Sequence, residues 1–296
     1  MKLLFIAFIL SVLLMWQSAI AGDHFPPMPK PEKEGEMNRR NKFMEFRSKE
    51  LYADLYENEG KPLVVIIGGS RAGIWSVSPL LMDYLREHYN VLLFAYFGVD
   101  KLPKSLNKIP LEYFTHGISL VKAKLNLQDQ DVTIIGNSKG AEAALLLISR
   151  FIHARVTIAC VPSCYVWQGI PSNVFELLFP ASSWTYNNKE LPFIKMKYDM
   201  KIIKDMKNKI YRSCYVKSIS KNMNNDAKID LSQYKGKLLL LSSDVDTFWP
   251  SKEMCDVIVK DYKIDVTHKV LNLTGHYFQD YEESIKETIR FLEQTR

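Results

Sequence analysis

Asp131-Val132-Thr133-Ile134-Ile135-Gly136-Asn137-Ser138-Lys139-Gly140 decides how the rest of the chain reads. Its first half is apolar and rich in β-branched residues, which predicts a buried strand. Ala141 to Phe151 follows, with Ala143, Ala144, Leu145, Leu146, Leu147 and Ile148, and predicts a buried helix. Gly-x-Ser-x-Gly at a strand-to-helix junction is the signature of a nucleophile elbow. The turn is tight, so its two glycines must lack a Cβ for the backbone to pass. Ser138 Oγ then stands clear of the sheet at the positive end of a helix. The competing reading is an ordinary turn built from small residues, and partners downstream decide between the two.

Serine is a weak nucleophile until a base takes its proton, and that base is usually a histidine oriented by a carboxylate. Leu238-Leu239-Leu240-Leu241-Ser242-Ser243 predicts a strand, followed by Asp244-Val245-Asp246-Thr247-Phe248-Trp249-Pro250. Either aspartate sits where an orienting acid belongs. Asp246, in an Asp-x-x-Trp-Pro turn, is preferred, and Asp244 reads as a turn residue bonding its own backbone. Val270-Leu271-Asn272-Leu273 predicts the last strand, and Thr274-Gly275-His276 follows it. His24, His88, His116, His153 and His268 fall in an arm, at helix ends or ahead of a strand. Only His276 falls just past a strand end. The order Ser138, Asp246, His276 is the chain order of α/β-hydrolase triads. Acyl transfer also needs donors for the oxyanion. The backbone N–H of Lys139 is one expected donor, and Ser70 or Arg71 in the Gly69-Ser70-Arg71 loop is the other. The Lys139 side chain is expected to face solvent.

The flanking chain supports an α/β fold. Leu63–Ile67, Val91–Tyr96, Val132–Ile135, Arg155–Val161, Leu238–Leu241 and His268–Leu273 read as continuous apolar strands. Pro79–His88, Tyr113–Leu127 and Tyr281–Gln294 read as helices between and after them. Such alternation predicts a mainly parallel sheet with helices on both faces. Residues 162–237 interrupt it with a long aromatic and basic stretch, including Tyr165, Trp167, Phe175, Trp184 and Tyr198. A loop that long is functional or has structure of its own. It predicts a helical cap over the carboxyl edge of the sheet, where open α/β sheets bind ligands. A separate small domain is the other reading.

The amino terminus reads differently. Lys2, the apolar run Leu3–Trp16 and the small residues Ala19-Ile20-Ala21 predict a secretory signal peptide cut after Ala21. Its apolar run is short for a bilayer span, so an uncleaved membrane anchor is the weaker alternative. Residues 22–49, with Pro26, Pro27, Pro29 and Pro31, read as a polar arm, and 50–296 as the α/β domain. Over 296 residues, 47% are hydrophobic and 24% charged, enough for a large core, and the net charge is +6. Its lysines are scattered, which does not indicate nucleic acid. Cys160, Cys164, Cys214 and Cys255 allow three pairings if the chain is exported. Their spacing with histidine does not suggest zinc, and nothing calls for a cofactor.

From about Lys61 onward the chain resembles the C-terminal catalytic domain of the acyl-CoA thioesterase and bile acid-CoA:amino acid N-acyltransferase family. Ala95-Tyr96-Phe97, Leu102-Pro103-Lys104 and Leu111-Glu112-Tyr113-Phe114 carry the likeness. So do Gly136-Asn137-Ser138-Lys139-Gly140-Ala141-Glu142, Ser183-Trp184-Thr185-Tyr186 with Leu191-Pro192, Asp246-Thr247-Phe248-Trp249 and Gly275-His276-Tyr277. The resemblance implies an α/β-hydrolase fold with Ser138 as nucleophile, Asp246 as acid and His276 as base. Two departures stand out. The family's animal enzymes carry an N-terminal β-sandwich domain, where this chain has a short arm. Its acyltransferases favour cysteine as nucleophile, where this chain has serine. The expectation is an exported serine hydrolase of a small acyl ester or thioester. Acyl transfer to an amine or alcohol, or a non-catalytic binding role, are the alternatives.

Overall fold

A computed structural model describes residues 10–17, 41–276 and 281–295. Eight strands form one sheet in the order β1-β2-β4-β3-β6-β7-β10-β11. β3 (Leu63–Ile67), β4 (Asn90–Phe94), β6 (Val132–Asn137), β7 (Val156–Cys160), β10 (Lys237–Val245) and β11 (Val266–Thr274) run parallel to their neighbours within this set. β3, β4, β6 and β7 are buried along their whole length, as unbroken Val/Ile/Leu runs require when both faces are covered. Alternation along β3 divides them between two cores. Leu63, Val65 and Ile67 face one, Val64 and Ile66 the other. The sheet is the α/β-hydrolase architecture expected.

β1 (Asn41–Arg47) and β2 (Tyr52–Asn58) extend the sheet antiparallel at one edge. The polar-arm assignment of residues 22–49 is corrected for 41–47. Met44 packs against one core and Phe43 against the other, so the strand has a reason to join. Asn41, Lys42, Glu45 and Arg47 around them hid the strand, because an edge strand need not be apolar on both faces. The proposed cut after Ala21 lies outside the described residues. Among those described, no helix is long and apolar enough to cross a membrane.

Residues 162–237 are only partly helical, which corrects the expected helical cap. Helices Val174–Leu178, Met200–Lys207 and Arg212–Asn222 share the insertion with β8 (Trp184–Tyr186) and β9 (Lys189–Glu190). These two strands form a small sheet with β5 (Ile109–Pro110) from the main body. The insertion docks on the carboxyl edge of the large sheet. There the amides of Tyr211 and Arg212 donate to Thr247 O, each at 3.0 Å. Phe175 and Phe179 of the insertion stay exposed, and its tryptophans are spent on docking. Trp167 and Trp184 are fully buried in the same core as the helix Lys139–Arg150.

Candidate active site

Ser138 follows β6 directly and caps the helix Lys139–Arg150. Its φ of 52° and ψ of −116° place it in a conformation that non-glycine residues avoid. A backbone hydrogen bond and the close packing of the turn hold it there. The Ser138 amide donates to Cys160 O at 2.9 Å, at the end of β7. A Cβ on Gly136 would lie 2.5 Å from Gly140 O, and one on Gly140 would lie 2.1 Å from Ile67 O. Both glycines are therefore dictated by packing of the turn. The helix behind is buried from Lys139 through Ile148, as a helix apolar on nearly every side must be.

Three parallel strands deliver the three polar side chains to one point. His276 follows β11 and Asp246 follows β10. His276 Nε2 lies 2.8 Å from Ser138 Oγ, and His276 Nδ1 lies 3.0 Å from Asp246 Oδ2. The carboxylate accepts a hydrogen bond from Nδ1–H, which leaves Nε2 as the acceptor facing the serine hydroxyl. All three residues are buried. Asp244 is exposed and lies at the end of β10, so the chain brings Asp246 rather than Asp244 to the histidine.

Asp246 is held on every side. Oδ1 accepts from the amides of Phe248 (2.8 Å) and Trp249 (3.2 Å), and Oδ2 accepts from Ser251 Oγ (2.7 Å). Burial alone would raise its pKa. The opposing pull of His276 and these hydrogen bonds outweighs that and holds the carboxyl below its ordinary value. Phe248 stacks on the His276 ring at 4.8 Å and 26°, and Trp249 meets its edge at 5.7 Å. Phe248, Trp249 and Ser251 were not singled out as site residues from sequence. Their place within five residues of Asp246 was the available signal.

Lys139 departs from expectation. Its side chain is buried, with Nζ 2.6 Å from Glu142 Oε2 and over the Trp184 ring at 5.5 Å. Solvent is unreachable because the insertion covers the first turn of this helix. Glu142 Oε1 accepts from Trp184 Nε1 at 2.8 Å and from the Trp167 amide at 3.1 Å, both on the insertion. One buried carboxylate thus ties the serine's helix to the cap. Burial dominates both partners, pushing the Glu142 pKa up and the Lys139 pKa down.

The loop after β3 lies against the serine. A Cβ on Gly69 would come within 3.2 Å of Ser138 Cβ. The Tyr96 hydroxyl lies 2.9 Å from Gly68 O and 2.6 Å from Gly69 O. In a trans peptide the N–H points opposite to the preceding C=O. Tyr96 therefore turns the amides of Gly69 and Ser70 away from itself. Burial raises this phenol well above its ordinary pKa, so it stays a neutral donor. Arg71 is half-buried on the same loop. All four cysteines are buried. Among the described residues no cluster of His, Cys, Asp or Glu could hold a metal.

Residues 109–280 match the family model described as BAAT / Acyl-CoA thioester hydrolase C terminal, a span containing Ser138, Asp246 and His276. The chain belongs to this family. Human acyl-coenzyme A thioesterase 6 is 24% identical over 119 residues, 40% of this chain and 28% of that protein. Acyl-coenzyme A amino acid N-acyltransferase 2 of Rattus norvegicus is 24% identical over 192 residues, 64% of this chain and 42% of that protein. The matches thus span less than half the length of these curated relatives. Among solved structures, the Pyrococcus furiosus esterase Pf2001 aligns with a TM-score of 0.55 at 17% identity, over 86% of this chain and 92% of that one. An esterase/lipase from an uncultured bacterium aligns at 0.53 and 10% identity, over 97% of each chain. At such identities the likeness is one of fold. The BAAT C-terminal family was legible in sequence through the ordered motifs around Tyr96, Ser138, Asp246 and His276.

Proposed function

We propose that this BAAT-family chain is an exported serine hydrolase that cleaves an acyl ester or thioester through an acyl-enzyme on Ser138. The observation that carries the reading is the 2.8 Å contact of His276 Nε2 with Ser138 Oγ, backed by Asp246 on Nδ1. Ser138 Oγ attacks the acyl carbonyl while its proton passes to His276 Nε2. Asp246 steadies the imidazolium and stays ionised. The oxyanion forms beside the helix start, where the Lys139 amide and the Ser70 amide of the Tyr96-clamped loop serve as donors. His276 returns the proton to the departing alkoxide or thiolate. Water, deprotonated by the same imidazole, then attacks the acyl-serine and frees the acid.

Export rests on the apolar leader and the small residues at 19–21. It would separate the enzyme from the cytosolic acyl-CoA pool and favour another ester or thioester as substrate. A second reading, acyl transfer to an amine, draws on the likeness to the N-acyltransferases. Serine disfavours it, because an oxygen ester is a less activated acyl donor than a thioester. Turnover of p-nitrophenyl acetate and an acyl thioester, with and without glycine or taurine, tests both readings. Free acid alone is the expected product. Conjugate formed with the amine would move the assignment to transfer, and no turnover of either substrate would remove it.

A further inference from the structure

The aromatic floor beside His276 continues away from the triad and is already filled. Phe248, stacked on His276, lies 4.9 Å from the Tyr211 ring and 6.3 Å from Tyr215. Across these three rings lies Trp16, with its centroid 5.7 Å from Tyr211, 6.1 Å from Tyr215 and 6.4 Å from Phe248. Trp16 Nε1 donates to Tyr198 Oη at 3.0 Å, and Tyr211 Oη donates to Met15 O at 3.3 Å. Trp16 and Val12 are completely buried, and Leu13 and Met15 nearly so, whereas Leu10 and Leu14 face outward. Residues 10–17 are helical. They occupy a groove walled by Tyr198, Tyr211 and Tyr215 of the insertion on one side and Phe248 of the sheet edge on the other. Phe248 touches both Trp16 and His276.

Residues 10–17 belong to the apolar run read as an export leader. If the leader leaves, the groove loses its filling, and Tyr211, Tyr215 and the His276-stacked Phe248 lose the indole packed against them. Contiguous apolar surface of that kind on a soluble protein marks a binding site. What replaces an indole and a valine there must itself be apolar. It must also start at Ser138, since the groove ends on the ring that stacks on His276.

We propose that this groove is the acyl-chain site of the mature enzyme, and that residues 10–17 fill it in the uncut chain, so that leader and acyl chain compete for one surface. The proposal rests on the proposed function for leader removal and for an acyl chain that starts at Ser138, whereas its first readout needs no catalysis. The occupant is a long apolar acyl chain, able to fill the space of the Trp16 and Val12 side chains. The uncut precursor is therefore latent toward long-chain substrate.

The test uses the full chain as wild type, Trp16→Ala and Val12→Asp, each checked for cooperative thermal unfolding. The first readout is the Kd for cis-parinaric acid, a fluorescent fatty acid, which needs no catalysis. The second is the ratio of kcat/KM for p-nitrophenyl dodecanoate to that for p-nitrophenyl acetate. Both substitutions loosen the leader, so each is expected to tighten fatty-acid binding at least tenfold and raise the ratio at least tenfold. Unchanged or weaker binding in both variants overturns the groove proposal, even if acetate is hydrolysed normally. If binding tightens while neither ester is turned over, the groove stands and the catalytic reading falls.

Discussion

At the scale of single residues, Ser138 is costly to hold and well supported. Its left-handed φ is a strained conformation that persists only when neighbours impose it. The orienting acid gives the sharpest residue-level expectation. Asp246→Asn keeps the shape but leaves His276 Nδ1 facing an amide, so kcat for p-nitrophenyl acetate should fall about 10⁴-fold with little change in KM. A loss under tenfold would remove Asp246 from the proposed triad. Glu142 makes a separate prediction about stability. Glu142→Gln leaves the Lys139 ammonium buried without its counter-charge, and such losses cost about 3–5 kcal/mol. Denaturant unfolding should show that drop, and the double change Glu142→Gln with Lys139→Met should recover much of it. A single variant within about 0.5 kcal/mol of wild type, the range of ordinary surface substitutions, would show that the pair does not anchor the cap.

At the scale of elements, the elbow stands or falls with its glycines. A methyl at position 140 would sit 2.1 Å from Ile67 O and 2.2 Å from Gly68 O, both backbone atoms that cannot step aside. Gly140→Ala is expected to lose about 3 kcal/mol or more, at the top of the overpacking range. A melting temperature equal to wild type would contradict the tight turn. The same turn shows why much of the fold was legible. The helix Pro79–His88 matches its expected bounds, and the strands at 63–67 and 132–137 were visible as apolar runs. They are buried on both faces, so hydrophobicity alone reveals them. β1 and the insertion were harder to read for the opposite reason. β1 is an edge strand in which Asn41, Lys42, Glu45 and Arg47 interrupt the apolar Phe43, Met44 and Phe46. β8 and β9 are short, and the pairing of β8 with Ile109–Pro110 depends on contacts far apart in sequence. Lys139 was misjudged because a charged side chain at a helix start ordinarily reaches water. Only the distant Trp167 and Trp184 close that path.

At the scale of the whole molecule, the site couples the sheet to the cap and titrates with it. Asp246 has a depressed pKa in the folded protein, so it contributes stability above its unfolded value near ~3.9. That contribution is lost as pH falls through the lower folded value. Asp246→Asn removes the dependence. Its unfolding free energy should therefore decline less steeply than that of wild type between about pH 5 and pH 2. Parallel acid limbs in the two proteins would deny Asp246 its depressed pKa. The triad sits where three strands of the parallel sheet end, and the insertion closes over it from residues 162 onward. This arrangement explains how one chain can keep the serine, aspartate and histidine all buried and still present an apolar groove beside them.

The central claim is that Ser138 carries the acyl group, and trapping measures it most directly. The full chain is mixed with a fluorophosphonate, digested, and its peptides are read by mass spectrometry. The expected result is a single phosphonate adduct on Ser138, lost together with ester hydrolysis in Ser138→Ala. An adduct elsewhere, or esterase activity that survives Ser138→Ala, would contradict it.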